Sequence, residues 1–187
     1  MKRAILKSGR LLAPITLLMG LAGTATAAVP GITGPTFNLT AQTAFLNQPD
    51  GEQVYSWGYG CNGAPTGFMP TAIAGASCPS MQVPGPTLIV TEGATVTVNL
   101  TNNLPAAAGN TSILFPGFTL TSTTCSAGAV QGLMACEAVP GGKVTYTFTA
   151  TGPGTHAYYS GTQGDLQIEM GLYGAVVVLP EIGRAHV

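Results

Sequence analysis

Charged side chains are scarce in this chain: Lys, Arg, Asp and Glu together make up 7% of its 187 residues. Four of the six basic residues, Lys2, Arg3, Lys7 and Arg10, fall in the first ten positions. Between residues 28 and 180 only Lys143 is basic, against Asp50, Glu52, Glu92, Glu137, Asp165 and Glu169, a net charge of about −5. No basic patch exists to neutralise phosphates, which excludes a nucleic-acid partner. Histidine is scarcer still, with only His156 and His186. No serine sits in Gly-X-Ser-X-Gly, so the hydrolase elbow is absent. Neither cysteine pair has the CxxC spacing of a zinc site. The N-terminal apolar run, Leu11 to Ala22, is too short and too interrupted by Pro14 and Gly20 for a membrane-spanning helix.

Apolar residues, by contrast, reach 45%, with 26 Gly and 14 Pro. High apolar content with low charge argues against disorder, and 187 residues suffice for one domain with a proper core. Thr and Val dominate the second half, which favours strands joined by Gly and Pro turns. The basic start, the apolar run and Ala25-Thr26-Ala27 together form an export signal over residues 1–27. Lys2-Arg3 also fits a lysine variant of the twin-arginine signal, and an ordinary secretory signal fits equally. After signal removal the protein is expected in the periplasm or outside the cell, with no membrane attachment.

Export makes disulfides plausible for Cys61, Cys78, Cys125 and Cys136. Of the three possible connectivities, local pairing of Cys61 with Cys78 and of Cys125 with Cys136 is expected, because each bridge then pins its own Gly/Pro-rich loop. The final residues, Ile182-Gly-Arg-Ala-His-Val187, match one reading frame of a sequencing adapter. Residues 181–187 are therefore expected to be a non-native tail of a truncated reading frame.

Strands are predicted over 36–45, 54–59, 88–91, 95–101, 112–115, 143–150, 155–159 and 173–179. The clearest is 95–101, where Val96, Val98 and Leu100 alternate with Thr95, Thr97, Asn99 and Thr101. Residues 60–82 and 119–139 read as loops, and Asp165 to Met170 as one or two helical turns. Many short strands separated by turn signals define an all-β, Greek-key sandwich or barrel spanning residues 28–180. No internal repeat and no second domain are evident.

Three segments carry a resemblance. The stretch from Pro84 to Pro105, with Glu92-Gly93-Ala-Thr-Val-Thr-Val-Asn-Leu100, resembles the first cupredoxin domain of the multicopper oxidase (laccase-like) family. So do Pro140-Gly-Gly-Lys-Val-Thr-Tyr-Thr-Phe-Thr-Ala150 and Gly171-Leu-Tyr-Gly-Ala-Val-Val-Val-Leu179. The resemblance implies an N-terminal, plastocyanin-like, cupredoxin-like barrel. In that family His-Trp-His-Gly follows the first segment, where this protein has Leu114-Phe115-Pro116-Gly117. Tyr-His-Ser-His precedes the last, where this protein has Tyr158-Tyr159-Ser160-Gly161. Two His-X-His pairs on extended segments project to one side and help cage three coppers that reduce dioxygen. The carry-over positions here are Leu114, Pro116, Tyr159 and Gly161. Leu, Pro and Gly offer no donor atom, and a phenol surrenders its proton reluctantly near neutral pH. No metal, cofactor or catalytic residue is therefore expected in this fragment.

Other candidates are weaker. A mononuclear blue copper site would have to use Cys136, His156 and Met170, whose gaps are too long for one ligand loop. His156 reads as a structural or surface residue, and Asp165 with Glu169 as a solvated acidic face. Met69, Met81, Met134 and Met170 are dispersed and read as packing residues. Three sequons begin at Asn38, Asn99 and Asn110. Two functions follow. One is a domain of an exported multicopper-oxidase-like protein, with copper held in domains missing here and partnered by the remaining cupredoxin domains of the same polypeptide. The other is a non-catalytic cupredoxin-like structural or interaction module.

Overall fold

Alternation of β-branched and polar residues dictates the architecture. The computed structural model describes residues 30–71, 76–121, 125 and 127–181. The export segment expected at 1–27 and the residues 182–187 lie outside them. Strands β1 (Gly31–Thr33), β2 (Thr36–Asn47), β3 (Gln53–Cys61), β4 (Phe68–Met69), β5 (Leu88–Thr91) and β6 (Thr95–Asn102) occupy the first half. Strands β7 (Ala129–Gln131), β8 (Cys136–Ala138), β9 (Lys143–Thr149), β10 (Gly154–Tyr159) and β11 (Tyr173–Leu179) follow. One helical turn, α1 (Gly164–Gln167), lies between the last two strands. Among the described residues no helix is long and apolar enough to cross a membrane.

The strands form two mixed sheets and a small hairpin. One sheet has the order β10-β11-β5-β1-β4, the other β3-β2-β6-β9, and β7-β8 stands apart. This is the expected all-β sandwich. Its core is the sum of the alternating faces. Val96, Val98 and Leu100 of β6 meet Val144, Tyr146 and Phe148 of β9 in register, and all are buried. Phe37, Leu39 and Ala41 extend that layer, opposed by Leu88, Val90, Tyr158, Val176 and Val178 of the other sheet. Each large side chain fully removed from water contributes about 1.5–3 kcal/mol.

Several boundaries differ from the sequence expectation. The strands β1 and β4 have no counterpart in it. They are three and two residues long, and their pairing partners lie far along the sequence. The loop expected at 119–139 contains the β7–β8 hairpin. Residues 112–115 do not form a strand. The β-pairing of this stretch is limited to isolated bridges, Thr111 to Ala138 and Leu114 to Tyr159. Pro116 cannot extend a ladder because it has no N–H, and Gly117, at φ 90°, turns the backbone away.

Both expected disulfides are present. Cys61 pairs with Cys78 and Cys125 with Cys136, at Cα separations of 5.6 and 5.5 Å. The second anchors the β7–β8 hairpin, whose tip raises Leu133 and Met134 into solvent at 95% and 69% exposure.

Candidate functional site

The segments expected to carry ligands meet at one end of the sandwich. β10 pairs with β11 up to Tyr159 opposite Tyr173, and the backbone then leaves the sheet through residues 160–172. The 111–118 segment closes against it. The Leu114 N–H donates to the Tyr159 carbonyl at 2.8 Å, and the Tyr159 N–H returns to the Leu114 carbonyl at 3.3 Å. Directly opposed residues share a face, so Leu114 and Tyr159 stand side by side, with Gly161 as diagonal neighbour. The Ser112 hydroxyl, one step along the pairing, accepts from the Gly161 N–H at 3.2 Å. Leu114, Tyr159 and Gly161 are half-buried and Pro116 is exposed. The four predicted positions therefore belong to one locality of the surface.

These residues do not fit copper. Leu114, Pro116 and Gly161 offer no side-chain donor, and the Tyr159 phenol is a single oxygen. The space is also taken. A Cβ on residue 161 would stand 2.7 Å from Leu114 Cγ and 2.9 Å from its Cδ2. Among the described residues no three His, Cys, Asp or Glu side chains converge. Cys136 is consumed in a disulfide and cannot join His156 and Met170 in a blue copper site. His156 packs its ring 4.5 Å from that of Phe118, with Nε2 buried and lacking a hydrogen-bond partner. Asp165 and Glu169 are both exposed, as are Met69 and Met134, whereas Met81 is buried.

Beneath the surface positions lies a polar network that sequence reasoning missed. Gln167 is its hub. Its Oε1 accepts from the Thr111 hydroxyl at 2.9 Å and from the Ser160 hydroxyl at 2.6 Å, and its Nε2 donates to the Asn110 carbonyl at 2.8 Å. The Ser112 and Thr162 hydroxyls share a bond of 2.9 Å, and the Tyr59 hydroxyl donates to the Ser112 carbonyl at 2.7 Å. Thr111, Ser112, Ser160, Thr162 and Gln167 are all buried. Such a network, once satisfied, specifies one arrangement of the segments it joins. Its signal is the small polar residues Thr111, Ser112, Ser160 and Thr162 beside Ile113 and Gly161, which acquire meaning only once the pairing is known.

Below the network, the Phe115 ring lies 4.8 Å from Phe148, 5.8 Å from Tyr146 and 6.2 Å from Tyr158. Burial pushes the hydroxyls of Tyr59, Tyr146 and Tyr158 well above the usual phenol range. They remain protonated and act as donors, Tyr158 to the Pro86 carbonyl and Tyr146 to the Cys136 carbonyl, each at 2.7 Å. A separate cleft of about 200 Å³, lined by Ile32, Phe68, Met69, Gln82 and Pro86, lies outside this site.

The two-sheet sandwich has the cupredoxin fold of solved multicopper oxidases. Residues 78–182 match the multicopper oxidase family, and the chain belongs to that family. It is 38% identical over 97 residues to an L-ascorbate oxidase of Brassica rapa subsp. pekinensis, covering 52% of this chain and 16% of the relative. It is 35% identical over 116 residues to copper resistance protein A of Pseudomonas syringae pv. tomato, covering 60% of this chain and 18% of the relative. The chain thus spans less than a fifth of these relatives. Its fold is similar to that of a multi-copper oxidase from Pseudomonas thermotolerans. That likeness has a TM-score of 0.59 at 22% identity, over 80% of this chain and 30% of the other.

Proposed function

We propose that this chain is the N-terminal plastocyanin-like domain of an exported multicopper-oxidase-like protein, and that the domain itself binds no copper. The observation that carries this reading is the Leu114 side chain lying where a ligand on residue 161 would need to stand. Copper-dependent oxidation, where the complete protein performs it, then belongs to its other cupredoxin domains. Leu114, Pro116 and Tyr159 present an apolar surface that gains by burial against such a domain. The two disulfides favour an oxidising compartment, and a copper resistance protein among the relatives agrees with export.

The second reading is a purely structural or interaction module, favoured by the absence of an imidazole from all four carry-over positions. The complete coding sequence of the gene separates the two. A downstream His-Cys-His motif supports the oxidase-like reading, and its absence supports the module. The copper-free character of this domain is tested by titrating purified residues 28–180 with Cu(II) and following absorption and metal content after desalting. No retained copper is expected. Stoichiometric, tightly held copper overturns the proposal.

A further inference from the structure

Two dipeptides in this protein have the composition that lets a backbone nitrogen attack a neighbouring side chain: Asp50-Gly51 and Asn62-Gly63. The structure treats them differently. The Gly51 N–H is held by the Gln48 carbonyl at 2.9 Å, and Asp50 Oδ1 accepts from the Glu52 N–H at 3.1 Å. Both potential reactants of that turn are engaged. The Gly63 N–H has no hydrogen-bond partner among the described residues. Gly63 is exposed at φ 96°, and nothing lies within 4 Å of the position a Cβ would take. With no side chain and open space around its Cα, Gly63 has the backbone freedom to swing its nitrogen towards Asn62. Asn62 is exposed too, and its side-chain amide is held only through Nδ2, which donates to the Thr101 hydroxyl. The other six asparagines all precede bulkier residues: Asn38, Asn47, Asn99, Asn102, Asn103 and Asn110.

We propose that Asn62 is a site of spontaneous deamidation through a succinimide formed with Gly63. The Gly63 amide nitrogen loses its proton to solvent base and bonds to Asn62 Cγ. The Cγ–Nδ2 bond of Asn62 breaks, and ammonia leaves with a proton from water. Water then opens the five-membered ring at either carbonyl, giving aspartate or isoaspartate, with no change of oxidation state. Asn is among the residues depleted where thermal damage matters, for this kind of reason.

The position gives the modification a structural consequence. The Asn62 N–H donates to the Asn38 carbonyl at 2.8 Å, extending the β2–β3 ladder by one bond. Its Nδ2 donates to the Thr101 hydroxyl at 3.1 Å. Deamidation removes that donor and adds a negative charge. Thr101 is paired across β6–β9 with Lys143, the one basic residue between positions 28 and 180. Isoaspartate would in addition route the backbone through the side chain, directly after Cys61 and its disulfide.

The test is incubation of the purified protein at neutral and mildly alkaline pH, chymotryptic digestion and peptide mass spectrometry, with enzymatic methylation to count isoaspartate. Trypsin is unsuitable because Lys143 is its one site in residues 28–180. The expected result is progressive loss of the Asn62 amide, faster at the higher pH, yielding both aspartate and isoaspartate while the other asparagines persist. Asn62→Gln, checked for native circular dichroism, should abolish the methylation signal. The proposal is overturned if Asn62 keeps its amide in the folded protein while a denatured sample loses it. It is equally overturned if amide loss is spread evenly over all the asparagines.

Discussion

Leu114 and Gly161 are complementary: the leucine side chain lies 2.7 Å from the point where the glycine would carry a Cβ. Neither residue alone accounts for the shape of the site. The missing side chain on one segment is matched by a filled volume on the other. This coupling gives the first prediction. Gly161→Ala forces Leu114 from its position and is expected to cost about 1–3 kcal/mol, as overpacking does. Leu114→Ala in the same molecule should recover much of that loss, because the space is then vacated. Urea unfolding of the four members of the cycle measures the coupling. Additive effects would show that the two positions are independent.

Restoring imidazoles should restore metal affinity. A variant with Leu114→His, Pro116→His, Tyr159→His and Gly161→His presents donors on two segments that remain paired through the Leu114–Tyr159 bridge. Copper prefers imidazole nitrogen. Calorimetric titration with Cu(II), with electron paramagnetic resonance of the product, should reveal binding by this variant that the parent lacks.

Gln167 has three partners and no exposure. Gln167→Leu keeps a similar bulk but strips the Thr111 hydroxyl and the Asn110 carbonyl of their partner, while the Ser160 hydroxyl keeps its bond to the Thr162 carbonyl. A cost of about 1–3 kcal/mol for each of the two groups left unpaired is expected. Hydrogen exchange should show loosening at residues 110–114 and 159–167 before any change in the β6–β9 core. Uniform loosening throughout the domain would argue against a local clasp.

The buried tyrosines set an alkaline limit. Their hydroxyls titrate higher in the folded than in the unfolded state, because burial disfavours phenolate. The unfolded state therefore loses protons first, from about pH 10. Stability is full below that value and falls as pH rises beyond it. Tyr158→Phe deletes one such group together with its bond to the Pro86 carbonyl. It should lower stability at neutral pH by about 1 kcal/mol and flatten the alkaline decline. Urea midpoints across alkaline pH check both parts.

Much of this fold is legible in the sequence because its strands bury one face. Residues 95–101 and Lys143–Thr149 alternate cleanly, and their apolar positions are the buried ones. β1 and β4 escape because two or three residues carry no period, and their pairing is decided by partners such as Leu88, far along the sequence. The local disulfides are legible from spacing within Gly/Pro-rich loops. The flanking motifs single out residues 114–117 and 158–161, and the fold brings these two segments together. What fills the site is not legible: the Leu114–Gly161 fit and the Thr111–Gln167 bond join residues about fifty apart, and only the folded pairing brings them together.

The bridge between Cys125 and Cys136 fastens a hairpin whose tip holds an almost bare leucine. A host whose interior keeps thiols reduced would make this finger without its fastening. Leu133 and Met134 would then be free to seek greasy company on neighbouring molecules during synthesis. The compartment chosen for production should therefore decide the yield of monodisperse material more than the choice of buffer.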